Sequence, residues 1–381
     1  MSILAGDSFR TVASLETLVR AHRKAMIGKR SNQKATASNY RFMLDLLEIQ
    51  RELIHGTYTP LPYRRRLITE PKVRRIEAPA FKDRIVHHAM HSVLSPFYER
   101  HFIHDSYACR PNKGIHRAMA RVQHFLRASP NMYVCKIDIS KYYGSVNHGK
   151  LRELLSRRVK DTKLLELLDT IIASSDSGTE YDYLFPPDSY FHTKGRRGIP
   201  IGNLTSQLFA NIYLHEADMY AKQTLKIRNY IRYMDDILLF SSDKKELHEW
   251  QAKLTEFLYE ELYLTVNPRK VRVYPARLGV DFVGYILYPN TRRVRASSVR
   301  RFRRRFHKKL NGLIEGRTNV WSVNATFQAW SAHVMHGNGK PLIEREKEKK
   351  DNALFVWWVL KQHRKNMRTS QKPSQLSLFD D

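Results

Sequence analysis

Tyr230-Ile231-Arg232-Tyr233-Met234-Asp235-Asp236-Ile237-Leu238-Leu239-Phe240 sets two adjacent carboxylates between two apolar runs. Tyr230-Ile231 and Ile237-Leu238-Leu239-Phe240 read as the arms of a β-hairpin with the Asp pair at its turn. Two acids in such a setting repel each other unless a cation holds them. Hard carboxylate oxygens suit a divalent ion such as Mg²⁺. Taken alone, these residues also fit an ordinary Asp-Asp turn.

Working outward, Tyr133-Val134-Cys135-Lys136-Ile137-Asp138-Ile139-Ser140-Lys141-Tyr142-Tyr143 is a second apolar strand that ends in an acid. A carboxylate at one strand end facing an Asp pair on a hairpin is the ligand set for two-metal phosphoryl transfer. One ion activates the attacking oxygen and the other stabilises the leaving one. Composition agrees with a phosphate-rich partner: 66 Lys and Arg stand against 37 Asp and Glu, a net charge of +29. Such an excess points to nucleic acid before an anionic membrane surface. No apolar stretch reaches membrane-spanning length, and Met1 to Met26 lacks a signal-peptide core. The two cysteines, Cys109 and Cys135, read as reduced core residues of a cytoplasmic protein.

The order of elements follows. A basic helix is expected over Ser14 to Met26, then a polar stretch, Gly28 to Ser38. An amphipathic helix carries Phe42, Leu46, Ile49 and Leu53 and is ended by Gly56. Basic strands follow at 63–68 and 71–76, then a helix from Phe81 to Tyr98 with Ile85, Ala89, Val93 and Phe97 on one face. Strands and helices alternate from Val134 to Leu287, an α+β pattern with a small sheet carrying the acids. Ile171 to Arg197 reads as a long loop or flap. From Thr291 the chain is basic and helical, with Trp321, Phe327, Trp330, Trp357 and Trp358 as core candidates. His87 and His91 have a spacing that can bind zinc, but no acid or cysteine completes a set, so packing is the expected role.

Taken together, these motifs resemble those of reverse transcriptases, in that family's order, across about 65–290. Tyr233-Met234-Asp235-Asp236 is the most specific match, and Asp138 matches the first catalytic acid. Gly198-Ile199-Pro200-Ile201-Gly202-Asn203-Leu204-Thr205-Ser206-Gln207 matches the motif between them. Leu264-Thr265-Val266-Asn267-Pro268-Arg269-Lys270 matches the lysine motif, and Phe282-Val283-Gly284-Tyr285 resembles the primer grip. Many members carry Gln-Gly, three residues, then Ser-Pro. Ile201 and Gln207 depart from that pattern and resemble the diversity-generating-retroelement class and its bacterial relatives, including phage-defence enzymes. Ser106 to Gly114 and Trp330-Ser331-Ala332-His333 also look like that class.

The resemblance implies an α+β right-hand polymerase. An N-terminal helical extension occupies 1–60, fingers and palm 61–290, a basic helical thumb 291–368 and a flexible tail 369–381. It implies that Asp138, Asp235, Asp236 and the carbonyl of Ile139 hold two Mg²⁺ ions, for which Mn²⁺ can substitute. Lys270 is a candidate general acid toward pyrophosphate. Lys72, Arg74, Tyr142, Tyr143, Ile201 and Gln207 are the expected nucleotide-binding residues. An aromatic at Tyr143 packs under the sugar and rejects a 2′-hydroxyl, which disfavours an RNA product. Phe282, Val283, Gly284 and Tyr285 would form the primer grip. Arg300, Arg303, Arg304 and Lys308 would track template–primer phosphates from a thumb helix whose Phe302 and Phe306 face the core.

Gln375, Leu376, Leu378 and Phe379 resemble the short peptide by which bacterial proteins dock on the sliding clamp. An incidental apolar patch is the other reading of that tail. The implied partners are an RNA template (a dedicated non-coding RNA), dNTPs, the DNA product, an accessory protein and the clamp, with no membrane. A non-catalytic RNA-binding protein is the alternative function, and three intact clustered acids argue against it.

Overall fold

The apolar runs on either side of the Asp pair pair with each other. In the computed structural model, β4 (Asn229–Tyr233) and β5 (Asp236–Ser241) form an antiparallel hairpin closed by the pair Tyr233 and Asp236. The structure describes residues 4, 6–28, 33–70, 73–129, 131–178, 180, 184 and 195–370, without the side chains of 33–40 and 364–370. Two compact units are distinguished: Met1–Arg121 with Asn131–Pro275, and Val122–Pro130 with Ala276–Asp381. Their division after Pro275 falls before the boundary at 290 expected from the sequence.

In the first unit, α1 (Ser8–Ala13) and α2 (Leu15–Met26) lead into α3 (Gln33–His55). Ser14 caps α2 by accepting the Thr17 N–H, which satisfies one orphan donor of the first turn. α3 begins inside the stretch read as polar loop. It ends before Gly56, whose φ of 68° stops the helix as its position predicts. The exposed antiparallel ribbon β1 (Arg64–Ile68) and β2 (Arg74–Ala78) follows, then α4 (Phe81–Glu99). α4 buries Ile85 and Ala89 as expected, and also Val86, Met90 and Leu94, so it is covered on more than one face.

After α5 (Ile115–Ala128) comes β3 (Tyr133–Asp138), then α6 (Tyr142–Ser145), α7 (His148–Ser156) and α8 (Thr162–Ala173). The helix α8 claims Ile171–Ala173, the start of the segment read as a loop. α9 (Leu204–Met219) is apolar nearly all round and buried accordingly. It continues into one π-helical stretch, Tyr220–Thr224. α10 (Lys244–Glu260) covers the sheet. With β6 (Arg272–Pro275), that sheet has the order β4-β5-β3-β6, antiparallel throughout. The α+β class expected from the sequence is the class observed.

The second unit holds the antiparallel sheet β7 (Val280–Phe282), β8 (Tyr285–Leu287) and β9 (Arg292–Val294). Gln123 donates to the carbonyls of Tyr288 and Thr291 at 2.9 and 3.2 Å, which ties Val122–Pro130 to this sheet. Helices α11 (Ala296–Ile314), α12 (Val320–Met335) and α13 (Lys340–Ser370) enclose a core of Phe302, Phe306, Phe327 and Trp330, among others. Phe302 stacks on Trp330 with ring centroids 3.8 Å apart. Trp321 and Trp358 are not core residues: they are 78% and 53% exposed. Trp321 lies two residues before Val323, the first of the buried 323, 327, 330, 334 stripe, which turns it about 200° away. Trp358 follows the packed Trp357 and is rotated about 100° from it. No helix among the described residues is long and apolar enough to cross a membrane.

One buried ion pair fixes the hairpin. Arg232 and Asp218 are both 0% exposed and meet in a bidentate pair, Nε to Oδ1 at 2.7 Å and Nη2 to Oδ2 at 2.6 Å. Tyr230 donates its hydroxyl to the same carboxylate at 2.6 Å. The third guanidinium nitrogen donates to Asn211 Oδ1 at 3.2 Å and to the Met234 carbonyl at 3.1 Å. The Arg232 backbone N–H donates to Asp105, and its carbonyl accepts from Tyr107. Removing one partner leaves the other charge buried and uncompensated, at about 3–5 kcal/mol. Arg232→Met is therefore expected to lose stability on that scale in urea unfolding, and Arg232→Met/Asp218→Leu to recover part of the loss. Equal stability of the single variant and the wild type would refute this role.

Candidate active site

The antiparallel register of β3 and β5 sets Asp138 directly opposite Asp236. Asp235 is the second residue of the two-residue turn between β4 and β5, so three carboxylates gather at one end of the sheet. Met234, the first turn residue, has a φ of 57°. A non-glycine residue holds such a backbone at a cost of about 1–3 kcal/mol, and here the Arg232 guanidinium bonds the Met234 carbonyl in place. Burial pushes the Asp235 carboxyl up to about 6. The negative charges of Asp236 and Asp138 add to that rise, and Lys270 opposes it.

Two ammonium groups answer this charge. Lys270 donates to Asp138 Oδ2, and Lys136 Nζ lies 3.5 Å from Asp236 Oδ1. Lys270 reaches Asp138 because its segment is hooked on the end of β3. The Asn267 N–H donates to the Asp138 carbonyl at 2.8 Å, and the Lys270 N–H to the Asn267 carbonyl at 2.9 Å. Ile139 forms an isolated bridge with Val266 beside them. Sequence reasoning did not single out Lys136. The signal was present, since Lys136 and Asp138 are two apart on a strand and share a face. Arg232, Asp218 and Asn211 were missed as well, because their partnership exists only once α9 and β4 have packed.

Of the tyrosine pair, Tyr143 belongs to the site. It is half-buried and donates its hydroxyl to Met234 Sδ at 3.6 Å. Burial raises its pKa, the charges at Cys109 and Asp235 raise it further, and Arg74 opposes them, so Arg74 on β2 acts at the same place. Tyr142 is turned into the core instead: it is 2% exposed and donates to the Ala210 carbonyl at 2.6 Å. Cys109 is not a core residue. Its left-handed backbone, φ 55°, leaves it exposed, whereas Cys135 is buried and both thiols are free.

The 198–207 motif joins these parts. The Gly198 N–H donates to the Val146 carbonyl and the Ile199 N–H to the Tyr143 carbonyl, both at 2.8 Å. The Ile201 carbonyl accepts the Glu77 N–H of β2 at 2.9 Å. Gly202 has a φ of 135°, and a Cβ there would stand 2.7 Å from the Glu77 carbonyl oxygen, so only glycine fits. Gln207 is half-buried in the first turn of α9. Lys72 lies outside the described residues.

Within the second unit, Val283 and Gly284 form the turn between β7 and β8 with φ of 43° and 95°. Phe282 and Tyr285 are buried on either side of it. The Tyr285 hydroxyl donates to the His333 carbonyl at 2.9 Å and lies 2.8 Å from His333 Nδ1. On α11, Arg300, Arg304 and Lys308 repeat every four residues and are exposed. Arg303 is half-buried and directed to Glu346, whose carboxylate it meets at 2.8 Å and which is 2% exposed, so it braces α11 against α13. Gln375, Leu376, Leu378 and Phe379 lie outside the described residues.

Among the described residues, no three His, Cys, Asp or Glu side chains are arranged to hold a metal ion. The donor chemistry nevertheless fits a hard divalent cation. All three groups are carboxylates, burial and their mutual repulsion raise Asp235, and cationic side chains already sit on the other two.

The family described as Reverse transcriptase (RNA-dependent DNA polymerase) matches residues 69–287, more than half of the chain. The chain belongs to the reverse transcriptase family. It is 27% identical over 284 residues to Protein YkfC of Escherichia coli K12, covering 65% of this chain and 72% of YkfC. It is 22% identical over 333 residues to the Group II intron-encoded protein LtrA of Lactococcus lactis subsp. cremoris. That match covers 70% of this chain but only 53% of LtrA, so the chain spans about half of that relative. Telomerase from Candida albicans, solved with a TWJ fragment of telomeric RNA, superposes with a TM-score of 0.47 at 15% identity. It covers 81% of this chain and 56% of the telomerase chain.

The raised pKa of Asp235 has a sign that can be checked. A carboxyl lifted from 3.8 to about 6 by folding favours the folded state only while it is protonated. That contribution is complete below pH 3.8 and is lost as pH rises through 6. In EDTA, Asp235→Asn of this reverse transcriptase is expected to match wild-type stability near pH 4. Near pH 7.5 it should be more stable by about 1–3 kcal/mol. Equal urea midpoints at both pH values would show that the carboxyl is not raised.

Proposed function

We propose that this chain is an RNA-directed DNA polymerase, joining dNTPs into DNA along an RNA template. The observation that carries the reading is the gathering of Asp138, Asp235 and Asp236 at one sheet end, with Tyr143 against the same turn. Asp138, Asp235, Asp236 and the Ile139 carbonyl would hold Mg²⁺, with Mn²⁺ as substitute. The bound ions would supply charge stabilisation for the attacking and leaving oxygens of phosphoryl transfer.

The chain's own residues divide the remaining work. Tyr143 offers an aromatic face beside Met234 for the sugar of the incoming nucleotide, where a 2′-hydroxyl would be excluded. Arg74, and Lys72 with it, would neutralise the triphosphate as charge develops. Lys270 holds a proton at Nζ beside Asp138 and would deliver it to the departing pyrophosphate oxygen. Ile201 and Gln207 would flank the nucleotide from the loop that Glu77 fixes. Phe282 to Tyr285 would grip the primer. The row Arg300, Arg304 and Lys308 would follow backbone phosphates, with Arg303 holding that helix in place.

The motif departures at Ile201 and Gln207 support a role in a bacterial retroelement or an antiphage defence system, with a dedicated non-coding RNA as template and an accessory protein as partner. The three clustered acids count against the alternative, an RNA-binding protein that does no chemistry.

DNA synthesis by the purified protein with its co-purifying RNA tests the reaction. Asp235→Ala/Asp236→Ala is expected to reduce product by about 10²–10³-fold or more, and sequencing the wild-type product identifies the template. Undiminished synthesis by the variant would defeat the assignment. The tail motif is tested separately: a peptide of residues 370–381 should retain the bacterial sliding clamp in a pull-down, and its failure to do so removes the clamp from the partners.

A further inference from the structure

The 198–207 loop is tied to the rest of the first unit by a chain of hydrogen bonds that runs one way. Asn203 Nδ2 donates to the Tyr63 hydroxyl oxygen at 2.9 Å, and that hydroxyl meets Ser174 Oγ at 2.7 Å. The Ser174 proton is committed elsewhere, because its hydroxyl donates to the Ile171 carbonyl at 2.6 Å. Tyr63 is therefore the donor in the middle contact. Burial raises its pKa, so the hydroxyl keeps the proton that it donates. The same direction fixes the Asn203 amide: turned over, it would set its oxygen against a hydroxyl with no proton left to give.

Three segments far apart in sequence meet in this chain. Tyr63 immediately precedes β1, Ser174 follows α8, and Asn203 precedes the first residue of α9. The chain ends on a carbonyl in the last turn of α8, which a helix end leaves open to an outside donor.

Asn203 gives up the ordinary use of its position. It is the N-cap of α9, with an extended backbone (φ −89°, ψ 143°), yet its side chain accepts from no N–H of the first turn. An asparagine in that place normally does so. It is 1% exposed, and among the described residues its Oδ1 has no hydrogen-bond partner. Both features cost stability, and proteins break such rules mainly at functional sites. What Asn203 secures is the backbone before it. The Ile201 carbonyl accepts the Glu77 N–H at 2.9 Å, and Gly202 leaves no room for a Cβ before the Glu77 carbonyl. The loop is thus pinned to β2 by its main chain and to Tyr63 by one side chain.

We propose that Tyr63 is a positioning residue for the incoming nucleotide: its hydroxyl, acting through Asn203, sets where Ile201 and Gln207 stand against the dNTP. This rests on the proposed polymerase reading.

The test is Tyr63→Phe, which removes one oxygen from the middle of the chain and keeps the ring. On a fixed RNA template and primer, the KM for dNTP is expected to rise about three- to tenfold with kcat within about twofold, because the loop loses its placement and the acids do not. Ser174→Ala should act in the same direction, and Tyr63→Phe/Ser174→Ala should cost no more than Tyr63→Phe alone, as a single chain requires. Tyr58→Phe is the control for a merely structural hydroxyl. Tyr58 is buried and donates to Asp83 at 2.8 Å, so its loss should lower the melting temperature and leave the KM for dNTP unchanged. The Asn203 side-chain amide protons read the chain without activity: they should exchange about tenfold faster in Tyr63→Phe than in wild type.

A wild-type KM for dNTP in Tyr63→Phe overturns the proposal, and so does an equal rise in Tyr58→Phe. If the wild type makes no DNA, the polymerase reading falls and amide exchange decides the rest. Unaltered protection of Asn203 in Tyr63→Phe then overturns the chain, and faster exchange upholds Tyr63 as the residue that places the loop.

Discussion

The pairing of Arg232 with Asp218 is the constraint on which the acid-bearing end of the sheet depends. A guanidinium with no contact to water needs hydrogen-bond partners, and here each of its three nitrogens holds something. Two nitrogens fasten β4 to α9 through Asp218, and the third fastens both to the Met234 carbonyl. The backbone of the same residue joins the 105–107 segment. The left-handed turn at Met234 can persist because its carbonyl has no freedom to relax. The Asp pair thus inherits its position from a charge that never meets a substrate.

The acids stand in a balance of opposite tendencies. Burial and mutual repulsion disfavour ionisation at Asp235, while Lys270 and Lys136 set ammonium groups at the cluster's edges. A sheet end crowded with carboxylates is built from strands that also carry ammonium groups. The alternation of side chains along β3 makes this possible: Lys136 and Asp138 project from the same face, and Asp236 faces them from β5.

The sequence made the hairpin, its neighbour strand and the acids legible because each is a local pattern. An apolar run interrupted by two acids has few other readings, and Gly56 and Gly202 mark places where backbone geometry admits little else. What stayed hidden depended on packing between distant segments. Tyr142 and Tyr143 are indistinguishable as letters, and only the position of α9 decides which one is core. Arg303 looks like its neighbours on a basic helix until Glu346 is brought under it from α13. The tryptophans show the same limit: hydrophobic character predicted burial for Trp321, Trp330, Trp357 and Trp358, yet helical phase exposes Trp321 and Trp358. Cys109, an apolar letter in the sequence, stands exposed on a backbone of positive φ.

The lysines at the acid cluster also bear on how the cluster carries its own charge. Carboxylates left bare at a sheet end would strain the palm whenever divalent cations were scarce. With Lys270 on Asp138 and Lys136 near Asp236, the charge is partly balanced from within. A divalent cation entering the cluster would have to exchange with these counter-ions. Its apparent affinity would measure how much better it competes than the two ammonium groups already resident there.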